Sequence, residues 1–154
     1  MFIYRLTAAL EKNGVSYAIV GGFALALHGA VRGTVDIDLV LALSEKNFLA
    51  AENALDQLGF KSRLPLIAKE VFQFRQDYIK KRDLVAWNFY NPKNPIELVD
   101  IIITHDLSKM KTVSVQSQGH TLKVLSVKDL IAMKKESGRP QDLEDIKALE
   151  RLKK

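Results

Sequence analysis

Two acids, one residue apart inside an otherwise apolar strand, constrain this chain more than any other feature. Residues 17–43 read YAIVGGFALALHGAVRGTVDIDLVLAL. The apolar run at 17–20 meets Gly21-Gly22, and an alanine- and leucine-rich segment then carries helical periodicity to His28, so the stretch begins as strand, glycine turn, helix. From Val35 the side chains alternate, with Val35, Ile37, Leu39 and Leu41 on one face and Asp36, Asp38, Val40 and Ala42 on the other. Asp36 and Asp38 therefore point the same way. About 7 Å apart, at an effective dielectric of about 20, they repel by on the order of 2 kcal/mol, and desolvation adds to that. A divalent cation relieves the cost, because hard cations take carboxylate oxygens. A half-solvated strand whose acids face water relieves it as well.

The flanking sequence supplies a frame for that strand. Residues 1–13 predict a helix with Phe2, Leu6, Ala9 and Leu10 as its buried stripe, ended by Asn13-Gly14. Ser44 reads as the N-cap of a helix with Phe48, Leu49, Ala51, Leu55 and Leu58 on its apolar side and Gly59 at its end. Asn47 stands where a capping box prefers Glu or Gln. Residues 60–83 carry no periodicity that assigns an element. They interleave Lys61, Arg63, Lys69, Arg75, Lys80, Lys81 and Arg82 with Phe60, Phe72, Phe74 and Tyr78, a mixture suited either to a nucleic-acid strand or to a solvated surface.

The stretch PIELVDIIIT at 95–104 is a central strand, with residues 84–90 as its antiparallel neighbour across a turn of Asn91, Pro92, Asn94 and Pro95. Asp100 is a third acid among hydrophobic residues. Glu97 competes with it but lies on the opposite face. Residues 105–120 read as a loop and a short strand pair. A short strand, the N-cap Ser126, a helix burying Leu130, Ile131 and Met133 as far as Gly138, and a last helix opened by Pro140 complete the chain. His28 reads as a packing or capping residue.

In that order, Gly21-Gly22, a helix, a basic turn and Asp36-Ile37-Asp38 resemble the G-[GS] … D-x-[DE] signature of the nucleotidyltransferase superfamily typified by DNA polymerase beta. Arg32, Thr34, Asp36 and Asp38 together are similar to the R-x-T-x-D-x-D form of its small stand-alone members and of the AbiEii-type toxins. Lys134, Arg139, Asp142 and Asp145 resemble the K-x(4)-R-x-x-D-x-x-D arrangement that closes many small members. Arg139 with Asp142 also reads as an exposed ion pair at a helix junction, of a kind that contributes little energy. The second glycine replaces a serine found in many members and so removes a hydroxyl that touches the nucleotide's phosphates.

The resemblance implies an α/β (α+β) nucleotidyltransferase fold, a mixed β-sheet flanked by helices with a C-terminal helical pair. It implies an enzyme in which Asp36, Asp38 and Asp100 are catalytic and hold two Mg²⁺ ions, while Gly21, Gly22, Arg32, Thr34 and Lys134 bind the nucleotide. Two-metal phosphoryl transfer needs such a trio, one ion acidifying the attacking hydroxyl and the other holding the triphosphate. The expected reaction moves a nucleoside monophosphate from a nucleoside triphosphate to a hydroxyl acceptor. That acceptor is an RNA such as tRNA in a toxin with an antitoxin partner, a protein side chain, or a small molecule of the aminoglycoside type. An inactive nucleotide- or partner-binding module of the same fold, and a structural protein with an adventitious acidic face, are the alternatives.

With 154 residues and 47% hydrophobic content, the chain suits one domain, 1–154, burying about two thirds of its unfolded surface. The absence of Cys excludes a disulfide framework and a thiolate zinc site. Arg5 and Glu11 break the apolar start of the chain, and no apolar run reaches membrane-spanning length, so a cytoplasmic protein without a membrane partner is expected. A net charge of +5 is compatible with a polyanionic partner and equally with a triphosphate-using enzyme.

Overall fold

The computed structural model describes residues 2–30 and 36–152. Helix α1 (Phe2–Lys12) buries Ile3, Leu6, Thr7 and Leu10, an i, i+3, i+4, i+7 stripe. Strand β1 (Tyr17–Val20) is buried along its whole length, and α2 (Gly21–Leu27) leaves it without an intervening loop. Strand β2 (Asp36–Leu41) leads to α3 (Glu45–Gln57), where the Ser44 hydroxyl accepts from the Asn47 N–H at 3.1 Å. Asn47 replaces the expected capping-box acid for a structural reason. Its amide donates to the Ser16 and Ala42 carbonyls, each at 2.9 Å, and its oxygen accepts from the Ser16 N–H at 2.8 Å, so it clamps the first turn of α3 to the start of β1 and the end of β2.

The unassigned stretch 60–83 forms β3 (Lys61–Ser62), α4 (Ala68–Gln73) and α5 (Arg75–Arg82). Helix α5 buries none of its residues and is held by the Arg75 side chain, whose Nε–H donates to the Ile103 carbonyl. Strands β4 (Ala86–Asn91) and β5 (Asn94–Ile102) make the expected hairpin, with Pro95 inside the strand rather than in the turn. A 3-10 turn at Leu107–Lys109 precedes a second hairpin, β6 (Thr112–Ser117) and β7 (His120–Leu125). Ser126 caps α6 (Val127–Ser137) by accepting from the Asp129 N–H at 3.2 Å, and α7 (Pro140–Leu152) packs against α6 as the C-terminal helical pair. Met133, expected in the core, is only partly buried.

Among the described residues, seven strands form one mixed sheet in the order β3-β4-β5-β2-β1-β7-β6. The pairs β2–β5 and β1–β7 are parallel and the rest antiparallel. Period-two alternation divides its faces. Ile37, Leu39, Trp87, Phe89, Val99 and Ile101 are buried on one face, where the Phe48 ring of α3 stacks on Trp87 at 6.3 Å between centroids. Each of those side chains contributes about 2–3 kcal/mol by leaving water. Glu97 shares that face, gripped by Arg5 of α1 at 2.6 Å and by Asn91 at 2.8 Å, away from Asp100 as the alternation requires. No described helix is long and apolar enough to cross a membrane.

Candidate active site

The second face of the sheet gathers the acids. In the parallel pairing of β2 with β5, Asp38 stands directly opposite Asp100 and Asp36 opposite Leu98. Antiparallel pairing puts Asn88 opposite Asp100 and Val20 opposite Asp38. A row Asn88, Asp100, Asp38, Val20 thus crosses four strands, each step about 4.8 Å. Asn88 was not legible from the sequence. Its amide donates to Asp100 Oδ1 at 2.6 Å and fixes the plane of that carboxyl.

The row ends where β1 becomes α2, and Gly21 is the reason it can. Gly21 has φ +70°, and a Cβ placed on it would collide with the Asp38 carboxylate, 2.9 Å from Cγ and closer still to one oxygen. Only glycine combines that backbone angle with room for the acid. Gly21→Ala is expected to cost about 2 kcal/mol or more, from the left-handed conformation and the collision together. Urea denaturation checks it, and an unchanged midpoint would contradict the contact.

The electrostatics follow from this crowding. Burial first, then the charge of Asp100 and the hydrogen bond shared with it, then Asp36, push the Asp38 carboxyl up to about 7, while Lys134 draws it down. Asp36 is raised too, by burial and by Asp100, with Arg63 opposing. The charge of Asp100, directly opposite across the β2–β5 pairing, therefore makes the Asp38 carboxyl costly to ionise.

Side-chain placement divides the site in two. Asp38 and Gly21 open on a cleft whose other walls include Lys134 and Arg139, whereas Asp36 and Asp100 open on a neighbouring hollow with Asn88 and Arg63. Lys134 lies at the cleft as expected, but its ammonium is held by Asp142 at 3.2 Å and Asp145 at 2.9 Å and is only 13% exposed. The Arg139–Asp142 pair differs from the exposed junction pair expected. Asp142 is fully buried, taking Arg139 Nε–H at 2.9 Å and the Arg139 backbone N–H at 3.1 Å, while Arg139 is 71% exposed. Burial pushes the Asp142 carboxyl up, yet the hydrogen bonds from Arg139 and Lys134 outweigh it and hold it at about 2. Gly22 is buried in α2, and His28 is that helix's C-cap, its Nε2 2.8 Å from the Leu125 carbonyl. Arg32 and Thr34 lie outside the described residues.

In kind, the donor set fits a hard divalent cation: three carboxylates in mutual electrostatic reach, with charge in excess of what their surroundings neutralise. Among the described residues no three or more His, Asp or Glu side chains stand close enough together to hold a metal ion as they are placed, so a cation would have to draw these carboxylates together.

Solved structures share this fold. An ANT(2'')-Ia structure in complex with adenylyl-2''-tobramycin matches 98% of this chain and 90% of its own, with TM-score 0.64 and 14% identity. The lincosamide antibiotic adenylyltransferase LnuA, lincomycin-bound, matches 98% and 96%, with TM-score 0.63 and 14% identity. The fold is that of the nucleotidyltransferases. An antigenic nucleotidyltransferase-like protein from Paracoccidioides brasiliensis shares this nucleotidyltransferase fold over 96% of the chain and 75% of its own, at TM-score 0.55 and 17% identity. No family model and no curated protein matches the sequence.

Proposed function

We propose that the chain is a nucleotidyltransferase that moves a nucleoside monophosphate from a nucleoside triphosphate to a hydroxyl of a small-molecule acceptor. The observation that carries this reading is the Asp38–Asp100 pair, set side by side between a cleft and a hollow. In-line displacement needs the attacking hydroxyl and the leaving pyrophosphate on opposite sides of the α-phosphorus. The cleft, with Lys134 and Arg139, suits the triphosphate, and the hollow, with Asp36, Asp100 and Arg63, suits the acceptor.

A divalent cation bound by Asp36, Asp38 and Asp100 would acidify the hydroxyl and neutralise the triphosphate. Asp100 takes the proton as the hydroxyl oxygen attacks, with Asn88 keeping its carboxyl in plane. The bond from the α-phosphorus to the bridging oxygen breaks and pyrophosphate leaves past Arg139. That guanidinium spends Nε and one Nη on Asp142, and its other Nη serves the departing anion. Lys134, pinned by two carboxylates, acts at the cleft as a fixed positive charge.

A small acceptor is favoured by the near-complete mutual coverage with two antibiotic-modifying proteins. RNA is the second reading, favoured by α5, which has no fully buried residue, ends in Lys80, Lys81 and Arg82, and is tied to Ile103 just past β5 beside the cleft. Purified protein incubated with each α-labelled triphosphate, magnesium and a cell extract, fractionated into small molecules, RNA and protein, separates them. Label is expected among the small molecules and is expected to fall about a thousandfold in Asp100→Asn. Label in RNA selects the second reading. Triphosphate binding without label in any fraction identifies a binding module instead.

A further inference from the structure

The cleft beside Asp38 is lined by two chemically different sets of side chains. Lys134 and Arg139 are charged, whereas Val85, Ile102 and Met133 are apolar, and Thr104 and His105 line it with them. Helix α6 presents Leu130, Met133, Lys134 and Ser137 to it, positions that share one helical face. The opposite wall is the end of β5, anchored on both sides. The Ile103 N–H donates to the Val85 carbonyl at 2.9 Å, and Asp106 accepts from the Leu43 and Ser108 N–H groups at 3.1 and 3.0 Å.

His105 sits between those anchors and spans the cleft wall. Its Nδ1 is 2.8 Å from the Thr104 hydroxyl, and its Nε2 is 2.7 Å from Glu136 Oε2 on α6. Both ring nitrogens are thereby committed, so the ring, 21% exposed, offers a ligand its π-face rather than a hydrogen bond. An aromatic face set among aliphatic side chains takes a flat ring with apolar faces. Met133, unbranched and polarisable, adapts to the outline of such a ring.

Resting on the nucleotidyltransferase reading, we infer that His105, held by Thr104 and Glu136, is the stacking platform for the base of the donor nucleotide, and that the cleft prefers a purine nucleoside triphosphate. Stacking strength grows with ring area, so a platform without hydrogen-bond readout ranks purines above pyrimidines while excluding neither.

Equilibrium binding of ATP, UTP and inorganic tripolyphosphate, each with magnesium, to the wild type, His105→Ala and His105→Phe tests this. The wild type is expected to bind ATP more tightly than UTP, and UTP more tightly than tripolyphosphate. His105→Ala is expected to weaken ATP roughly tenfold and leave tripolyphosphate unchanged. His105→Phe, which keeps a π-face and removes both nitrogens, is expected to return ATP affinity to within about threefold of wild type. Equal losses for ATP and tripolyphosphate in His105→Ala, or a folded His105→Phe no better than His105→Ala, would overturn the platform. A wild type that binds tripolyphosphate as well as ATP overturns the platform and leaves the anion site standing; one that binds neither removes the nucleotidyltransferase reading along with it.

Discussion

Asp38→Asn is expected to lower nucleotidyl transfer by about a thousandfold or more and, in the same molecule, to raise the stability of the unliganded protein. The two effects share one cause. The Asp38 carboxyl is pushed up to about 7 by burial and by Asp100 and Asp36, so ionising it costs folding free energy. An acid with a raised folded value has its full stabilising effect below its unfolded value, near 4, and loses it as pH rises through about 7. With water at the cleft mouth screening part of the charge, the penalty at pH 8 is on the order of 3 kcal/mol. The amide keeps the shape against Gly21 and donates to Asp100, but it has no charge to bury. Melting curves of wild type and variant should therefore nearly coincide at about pH 3.5 and separate by roughly 5 °C or more at pH 8. Magnesium should raise the melting temperature of the wild type and leave the variant where it is. A variant that keeps its turnover, or that melts with the wild type at every pH, would show that Asp38 is neither a reacting group nor a strained one.

The second large effect is structural. Asp142→Ala should destabilise the fold by about 3–5 kcal/mol, because Asp142 is fully buried and binds Arg139 and Lys134 at once. Its removal leaves the Lys134 ammonium, 13% exposed, with only Asp145, and deprives the Arg139 N–H at the start of α7 of its acceptor. The pH dependence runs opposite to that of Asp38. A carboxyl held at about 2 contributes stability that is complete above its unfolded value, near 4, and is lost as pH falls from about 4 to about 2. Wild type should lose about 2 kcal/mol across that window through this group, and Asp142→Ala should show no such loss. Guanidinium titrations at pH 7 and at pH 3 measure both. A denaturation midpoint within experimental error of wild type at pH 7 would mean that Lys134 and Arg139 find other partners without cost.

What the sequence disclosed and what it withheld divide along a physical line. Asp36, Asp38 and Asp100 were legible because an ionised group in an apolar strand is costly wherever the strand lies, so its presence is informative before any fold is known. The caps Ser44 and Ser126 were legible because their chemistry is local. Asn88 and His105 were not. The first acquires its role only when β4 and β5 pair in the register that sets it opposite Asp100, and the second only when α6 brings Glu136 to the end of β5. Lys134 was legible as a position and not as a contact, because Asp142 and Asp145 reach it from the following helix. Helix α5 escaped prediction for another reason: it has no fully buried residue, only Tyr78 and Ile79 partly packed against the core, so it carries little periodicity to read.

The parallel pairing of β2 with β5 joins residues 36–40 to residues 98–102. During synthesis, a chain whose later strand has not yet emerged can set β2 against β1, with Asp38 beside Val20 and Gly21, but the Asn88–Asp100 half of the row does not exist. The candidate site consequently arises only when a long crossover closes and the second parallel strand docks. A chain that stops short of residue 100 therefore cannot assemble the acidic row.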